Sequence, residues 1–347
     1  MSQNHPLVSI NLLSWNGQKY IKDCLNSVFD QTHPNLEVSV IDNGSTDKTI
    51  DYLEEIKGRH QNLKIISKNS ENVGFAAAHN RLIEKSKGEF VICLNQDIVL
   101  DKDFIERALE VFKSDIKIGA VQGKLLRWQK GLSISQNHID YQVAHIIDTT
   151  GLVILKNRRI INRGQGDIDQ GQFEKIEEIF GVDGAAPVYR KETLENIRID
   201  QEYFDESFFS YKEDVDLAWR LRLYGWKVVY QPQSIAWHDR TSGDSMAIGY
   251  LSVIKERLKI SKFAKYLAFK NQRLMQIKNE QISLLIKHLI WFLPKEIISW
   301  LYVLFLERYT WRAIKDLFQQ IPEAWRKRKI IMAKKRVTGK EMEKWFA

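Results

Sequence analysis

The sequence predicts an α/β protein: an open, mostly parallel sheet flanked by helices, followed by a helical appendage. Two observations carry this. Strand-like and helix-like runs alternate through the first hundred residues, at the spacing of βα units. After about Ser245 the chain turns almost wholly helical, with little Gly and an apolar period of about 3.6 residues. At 347 residues there is room for one large domain, expected over 1–245, and a basic amphipathic region over 246–347.

The elements follow in order. LVSINLL (7–13) is strand-like, and Tyr20, Ile21, Cys24, Leu25 and Val28 then mark one face of a helix that Pro34 must stop. LEVSVI (36–41) is the second strand, and DNGST supplies a turn and an N-cap for a helix from about Lys48 to Ile56. LKIIS (63–67) is the third strand and FAAAHNRLIEKS the next helix. FVICLN (90–95) is continuously apolar, the mark of a strand buried on both faces. From Ile118 to Ile179 the signals are mixed, with a Gly-rich stretch at 163–172, and predict irregular structure and strand returns on the acceptor side of a cleft. GVDGAAPVYRKETL (181–194) follows. Val215, Ala218, Trp219, Arg222 and Leu223 then keep helical spacing, Gly225 caps, and WKVVYQP is a strand.

In open α/β sheets, ligands gather at the carboxyl ends of the strands. The residues at those ends are Ser14-Trp15-Asn16, Asp42-Asn43-Gly44-Ser45, Asn72-Val73-Gly74-Phe75 and Asn95-Gln96-Asp97. A single polar turn is unremarkable, whereas four on one edge mark a candidate site. Asp97 follows a buried strand, where a carboxylate can hold Mg²⁺ or Mn²⁺ against a diphosphate, or merely cap a turn. Glu213 and Asp214 stand directly ahead of an amphipathic helix among aromatics, positioned as a general base or as helix-capping acids. His238 ends a strand returning toward the same edge, and on its own reads as structural.

Together, VSINLLSWN…VIDNGSTDKT, ENVGFAAAHN, the LNQD strand end and FFSYKEDVDLAWRLRLYGW closely resemble family 2 glycosyltransferases of the GT-A fold, and most closely a bacterial rhamnosyltransferase-like branch. The resemblance covers about residues 6–240 with all motifs in order, and continues more loosely to about 335. It implies a Rossmann-like, nucleotide-binding mixed sheet and metal-dependent inverting sugar transfer. Leu13, Ser14, Trp15, Asn16 and Gln96 would border the nucleotide, and Asp42 would hydrogen-bond its base or sugar. Asn72, Gly74 and Phe75 would admit donor groups, with Asn80 behind them and Gly184, Ala185 and Ala186 along the donor sugar. Asp97 would be the metal carboxylate and His238 a further metal ligand. Asp214 would be the catalytic base, with Glu213 beside it. Two positions depart from the pattern: Asn95 stands where the metal motif has its first acid, and Leu13 where many relatives have Pro.

Under this resemblance the donor is dTDP-L-rhamnose, with a UDP-hexose as the alternative, and the acceptor is a cell-surface polysaccharide or lipid-linked glycan. A pocket lined by Ala185 and Ala186 would accept the rhamnose methyl. A nucleotidyltransferase would carry a Gly-rich phosphate loop with a Lys near the first strand, where this chain has LLSWNGQKY. The net charge of +8 raises a basic nucleic-acid binder, but no reading motif accompanies it, so no nucleic-acid partner is expected.

The charge is concentrated in RKRKIIMAKKRVTGK (326–340), with eight bases and no acid, suited to an anionic membrane surface or simply a solvated face. Ahead of it, residues 282–306 are strongly apolar but interrupted by Lys287, His288, Pro294, Lys295 and Glu296. Spanning a bilayer takes about 20 uninterrupted apolar residues, so two helices lying in the interface are expected, or else a helical subdomain buried against itself or a second subunit. Two isolated cysteines, Cys24 and Cys93, and an opening MSQNHPLVSI without an export pattern predict a cytoplasmic protein, peripheral on the inner face of the cell membrane.

Overall fold

The computed structural model describes residues 5–128, 134–135, 138–139, 145–240 and 250–347. Its first part alternates as the sequence predicts: β1 (Val8–Ser14), α1 (Ile21–Phe29), β2 (Leu36–Asp42), α2 (Thr49–Lys57), β3 (Leu63–Lys68), α3 (Phe75–Lys85) and β4 (Phe90–Asn95). Next come β5 (Ile98–Leu100), α4 (Phe104–Phe112), β6 (Ile118–Arg127), and a short hairpin of β7 (Ile134–Ser135) and β8 (His138–Ile139). The return segments are β9 (Ile147–Thr149), β10 (Leu152–Ile154), β11 (Ile160–Asn162), β12 (Glu177–Glu178) and β13 (Val188–Arg190), then α5 (Lys191–Ile197), α6 (Glu213–Leu223) and β14 (Lys227–His238).

The main sheet runs β12-β14-β6-β13-β4-β1-β2-β3. The strands β3, β2, β1 and β4 are parallel, as β6 and β14 are to each other, but β13 lies antiparallel between β4 and β6. The sheet is therefore mixed, as the family resemblance implies, where the βα alternation alone predicts a mostly parallel one. The difference arises where the sequence signals are mixed. Gly119, Gln122, Gly123 and Lys124 break the apolar run of β6, yet all ten residues of the strand lie in the sheet. A Cβ on Gly123 would sit 2.3 Å from the carbonyl oxygen of Ser234 on the neighbouring strand, so the gap in hydrophobicity is a packing requirement. Pro232 is carried inside β14 where its register against β6 slips between Gln231 and Ile235.

Two cores cover the sheet. One gathers α1 (Ile21, Cys24, Leu25, Val28), α4 and one face of β1, β2 and β4; the other is built on α6 (Leu217, Trp219, Leu221). That second core also takes in Leu274, Met275, Leu317 and Ile331 from the C-terminal helices. Those helices are α7 (Tyr250–Lys259), α8 (Lys262–Asn279), α9 (Ile282–Lys287), α10 (Leu289–Phe305), α11 (Trp311–Lys334) and α12 (Gly339–Glu343). The expected boundary near Ser245 lies outside the described residues. Both cysteines are buried and free. Among the described residues no single helix is long and apolar enough to cross a membrane, and α10 meets the helical stretch after it at 101°.

Candidate active site

The ends of β1, β2 and β4 are tied together by side chains. Gln96 accepts from Ser14 Oγ (2.8 Å) and the Trp15 amide (3.0 Å), and its own amide donates to the Trp15 carbonyl (2.9 Å). Asn16, in the left-handed region at φ 49°, accepts from the Thr46 amide (2.8 Å), while its own amide donates to Ser45 Oγ (2.8 Å). Trp15 is left half exposed. Leu13 packs inward with Ile41 and Ala78, so it reaches the edge through its backbone. Asp42 is fully buried, and its carboxylate accepts from the Gly44 and Ser45 amides and from Ser45 Oγ. It shapes the turn from within.

Asn72 and Gly74 belong to a second set. Asn43 donates to Asn72 Oδ1 (2.8 Å), which also accepts from the Gly74 amide (2.8 Å). Gly74 sits at φ 87°, and a Cβ there would lie 2.5 Å from the Phe209 carbonyl oxygen and against its ring. The close approach that Gly74 permits within the fold is that of Phe209. The same carbonyl accepts from the Phe75 (2.7 Å) and Ala76 (3.2 Å) amides at the start of α3. The amide of Asn80 is spent inside the fold: it donates to the Phe204 carbonyl and Glu206, and accepts from the Tyr203 and Phe204 amides.

The polar centre lies between Asp97 and Asp214. Pairing of β14 with β5 sets His238 opposite Ile98, and Asp97 Oδ1 lies 3.6 Å from His238 Nε2. His238 Nδ1 is 2.8 Å from Asp148. Arg240 donates to Asp148 (2.5 Å) and to Asp183 (3.1 Å). Asp183 accepts from the Ala185 amide (3.0 Å), and the adjacent Gly184 amide points at Asp214 Oδ2 (3.3 Å). One chain of contacts thus runs Asp97–His238–Asp148–Arg240–Asp183–Gly184–Asp214. Sequence reading missed Asp148, Asp183 and Arg240; only Asp183 carried a signal, its place in the GVDGAA stretch. Ala185 and Ala186 are buried with Ile92 and Val188 in the core, so their methyls do not line a sugar pocket.

Burial lowers the affinity of His238 for its proton, but the Asp148 and Asp97 carboxylates outweigh it and raise the imidazole to about 9. The two carboxylates therefore draw positive charge to this point. Asp148 anchors one ring nitrogen and leaves the other facing Asp97, so an imidazole nitrogen and a carboxylate oxygen would be offered together to a divalent cation. Among the described residues no three His, Cys, Asp or Glu groups gather as a cage. Two protein donors fit Mg²⁺ or Mn²⁺ only with phosphate oxygens and water completing the sphere.

Asp214 occupies the first turn of α6, where its Oδ1 accepts from the Val215 amide (2.8 Å). Burial, and then the Asp183 carboxylate, raise its pKa to about 6. Glu213 is buried, its Oε2 without a hydrogen-bond partner, and burial together with the Asp214 charge raises it to about 8. Burial raises both carboxyls and each charge disfavours the other, so the pair is shifted toward the range that general-base chemistry uses. The loop before α6 is strained. Phe209, Tyr211 and Lys212 have φ of 63°, 69° and 77°, each costing about 1–3 kcal/mol in a non-Gly residue.

The fold defines the class first. A crystal structure of S. aureus TarS 1-349 superposes at a TM-score of 0.56 over 91% of this chain and 81% of that one, at 19% identity, and the mixed sheet is that of the GT-A fold. GalNAc-T7 with UDP, GalNAc and Mn²⁺ superposes at 0.55 over 87% of this chain and 58% of that one, at 14% identity. Residues 9–198, more than half of the chain, match glycosyl transferase family 2, and the chain belongs to that family. Poly-beta-1,6-N-acetyl-D-glucosamine synthase of Staphylococcus epidermidis is 28% identical over 231 residues, 66% of this chain and 49% of that one. A putative teichuronic acid biosynthesis glycosyltransferase, TuaG of Bacillus subtilis, is 36% identical over 110 residues, 32% of this chain and 43% of that one. The chain spans less than half the length of these two curated relatives.

Proposed function

We propose that the protein is an inverting glycosyltransferase moving a sugar from a nucleoside diphosphate to a hydroxyl of a cell-surface polysaccharide or lipid-linked glycan. The observation that carries this is the continuous contact chain joining Asp97 and His238 to Asp214 across one sheet edge. Asp214 takes the proton of the acceptor hydroxyl as its oxygen attacks the anomeric carbon in line, and the nucleoside diphosphate leaves from the opposite face. Asp97 and His238 would hold a divalent cation, which supplies neutralisation of the leaving diphosphate. The Trp15–Gln96–Asn16 edge orients the nucleotide, and burial of Glu213 beside Asp214 disfavours a second negative charge next to the base. The exposed apolar faces of α9 and α10 keep the enzyme on an anionic membrane, at the cytoplasmic leaflet where lipid-linked acceptors are built.

For the donor, the relatives favour a UDP-N-acetylhexosamine: one is named for poly-N-acetylglucosamine synthesis, and TarS has been solved with UDP-GlcNAc. dTDP-L-rhamnose remains the second reading, on the motif resemblance alone, because burial of Ala185 and Ala186 removes the methyl-pocket argument for it. Equal concentrations of UDP-N-acetylglucosamine, UDP-glucose and dTDP-L-rhamnose, with released nucleoside diphosphate as the signal, decide between them. Turnover stops with excess chelator and with Asp97→Ala, and falls with His238→Ala. Full turnover in chelator overturns the cation role, and no turnover or protective binding of any nucleotide sugar overturns the transferase reading.

A further inference from the structure

The segment between Asp205 and Lys212 makes a sharp turn immediately before the helix that carries Asp214, and its backbone conformation is held from outside. One side is closed by α3, whose first amides bind the Phe209 carbonyl. The other side is closed by α8, which comes from the C-terminal region beyond the matched family segment. Asn271 is fully buried, and its amide nitrogen lies 2.9, 2.9 and 2.8 Å from the carbonyl oxygens of Phe208, Ser210 and Tyr211. Lys270 donates to the Ser207 carbonyl (2.5 Å). About two turns further along α8, Lys278 binds Asp205 (2.5 Å) and Asp216 (2.8 Å), and Asn279 donates to Asp216 (2.7 Å). The same helix therefore grips the chain on both sides of Glu213 and Asp214.

We infer that Asn271 is a positioning residue for the catalytic base: it fixes the Phe208–Lys212 turn, and with it the direction in which Asp214 enters the cleft. This rests on Asp214 being the base. The chemistry at position 271 is specific. Three carbonyl oxygens converge on one side-chain nitrogen, so the position calls for N–H donors; a carboxylate of the same shape would face three partial negative charges. Without the amide, the carbonyls of Phe208, Ser210 and Tyr211, which flank or belong to the left-handed positions, lose their shared donor, and the turn relaxes toward ordinary backbone. The nucleotide edge at Trp15, Asn16 and Gln96 is held by β1, β2 and β4 and shares none of these contacts. Loss of Asn271 therefore acts on turnover and not on donor binding.

The test uses the full chain with Asn271→Ala, Asp214→Asn and the double variant, assayed with UDP-N-acetylglucosamine or dTDP-L-rhamnose, whichever is turned over. Misplacement of a catalytic group by about 1 Å costs on the order of 10²-fold, so Asn271→Ala is expected to lower kcat about 10- to 100-fold with donor KM within about 3-fold. Because Asn271 acts through Asp214, the double variant is no slower than Asp214→Asn alone, within about 3-fold. Losses that multiply in the double variant, or an unchanged kcat for Asn271→Ala beside an inactive Asp214→Asn, overturn the inference and leave the base assignment standing. An active Asp214→Asn overturns the base assignment itself. Amide hydrogen exchange needs no donor: in Asn271→Ala, residues 208–213 should exchange about 10-fold faster or more, with β1 and β4 unchanged. Unchanged exchange in 208–213, or a rise throughout the sheet, also overturns it. If Asn271→Ala does not fold, Asn271→Ser, which is smaller than Asn but keeps one donor, is read the same way.

Discussion

Asp214 lies between two opposing demands. Burial and the nearby Asp183 carboxylate disfavour its charge, while the Val215 and Gly184 amides favour it. The outcome near 6 sets the expected pH dependence. A base works only when deprotonated, so kcat/KM should fall as pH drops through about 6 and level off above it. Asp214→Asn should lower kcat by about 10²-fold or more and abolish that limb. A carboxyl whose folded pKa exceeds its unfolded value penalises the fold when ionised, above about pH 6, and the penalty disappears below the unfolded value near 4. The Asn variant should therefore melt no lower than the wild type at pH 8. An Asp214→Asn protein that is both inactive and strongly destabilised at pH 8 would mean the carboxylate is structural. At this scale sequence reading was uneven. Asp97, Asp214 and His238 could be singled out because each ends a strand or opens a helix. Asp148 and Arg240 could not, because they meet partners 90 and 57 residues away, and no local pattern records such a meeting.

At the scale of elements, the N-terminus of α3 and the turn before α6 form one unit. Gly74 is what lets them touch, since its φ of 87° and the 2.5 Å gap to the Phe209 carbonyl both exclude a side chain. Gly74→Ala should cost about 1–3 kcal/mol of stability, and should lower turnover more than Gly44→Ala, where the added carbon meets the Glu71 backbone at 3.0 Å, away from α6. Thermal melts and kcat of the two variants check this; equal loss of turnover in both would place the effect in general stability. The first four parallel strands were readable because each pairs a short run rich in apolar and β-branched residues with a polar turn. β6 and β13 were not readable. A Gly- and Gln-bearing strand draws its stability from neighbours on both sides rather than from its own pattern, so its sequence resembles a loop.

At the scale of the whole molecule, the charges that interrupt the apolar segment 282–306 turn out to point mostly inward. Glu296 pairs with Arg273 (2.8 Å) and Lys295 (2.5 Å), and His288 is buried against Arg158. What faces outward is Ile286, Leu289, Ile290, Leu293, Ile297, Leu301 and Phe305, with Ile290 71% and Phe305 66% exposed. The outer surface is more apolar than the linear sequence, and so continuous a face seeks a partner phase. The basic run is correspondingly reduced. Lys327 is buried on Glu202 and Asp205, and Arg326 pairs with Asp200 and Glu323, while Lys329, Lys334, Lys335, Arg336 and Lys340 stay exposed. Five exposed cations near an anionic leaflet, at about 1 kcal/mol each, give attraction that salt screens, whereas the apolar face gives attraction that salt leaves intact. Flotation with vesicles of phosphatidylcholine alone and with added phosphatidylserine separates the two. The double variant Ile290→Glu/Phe305→Glu should lose flotation in every condition. Lys334→Glu/Lys335→Glu should lose only the part that phosphatidylserine adds and that 0.5 M salt, with a screening length of about 4 Å, removes. If neither variant changes flotation while Ile290→Glu/Phe305→Glu converts a dimer to a monomer in solution, the apolar face belongs to a second copy of the chain and not to lipid.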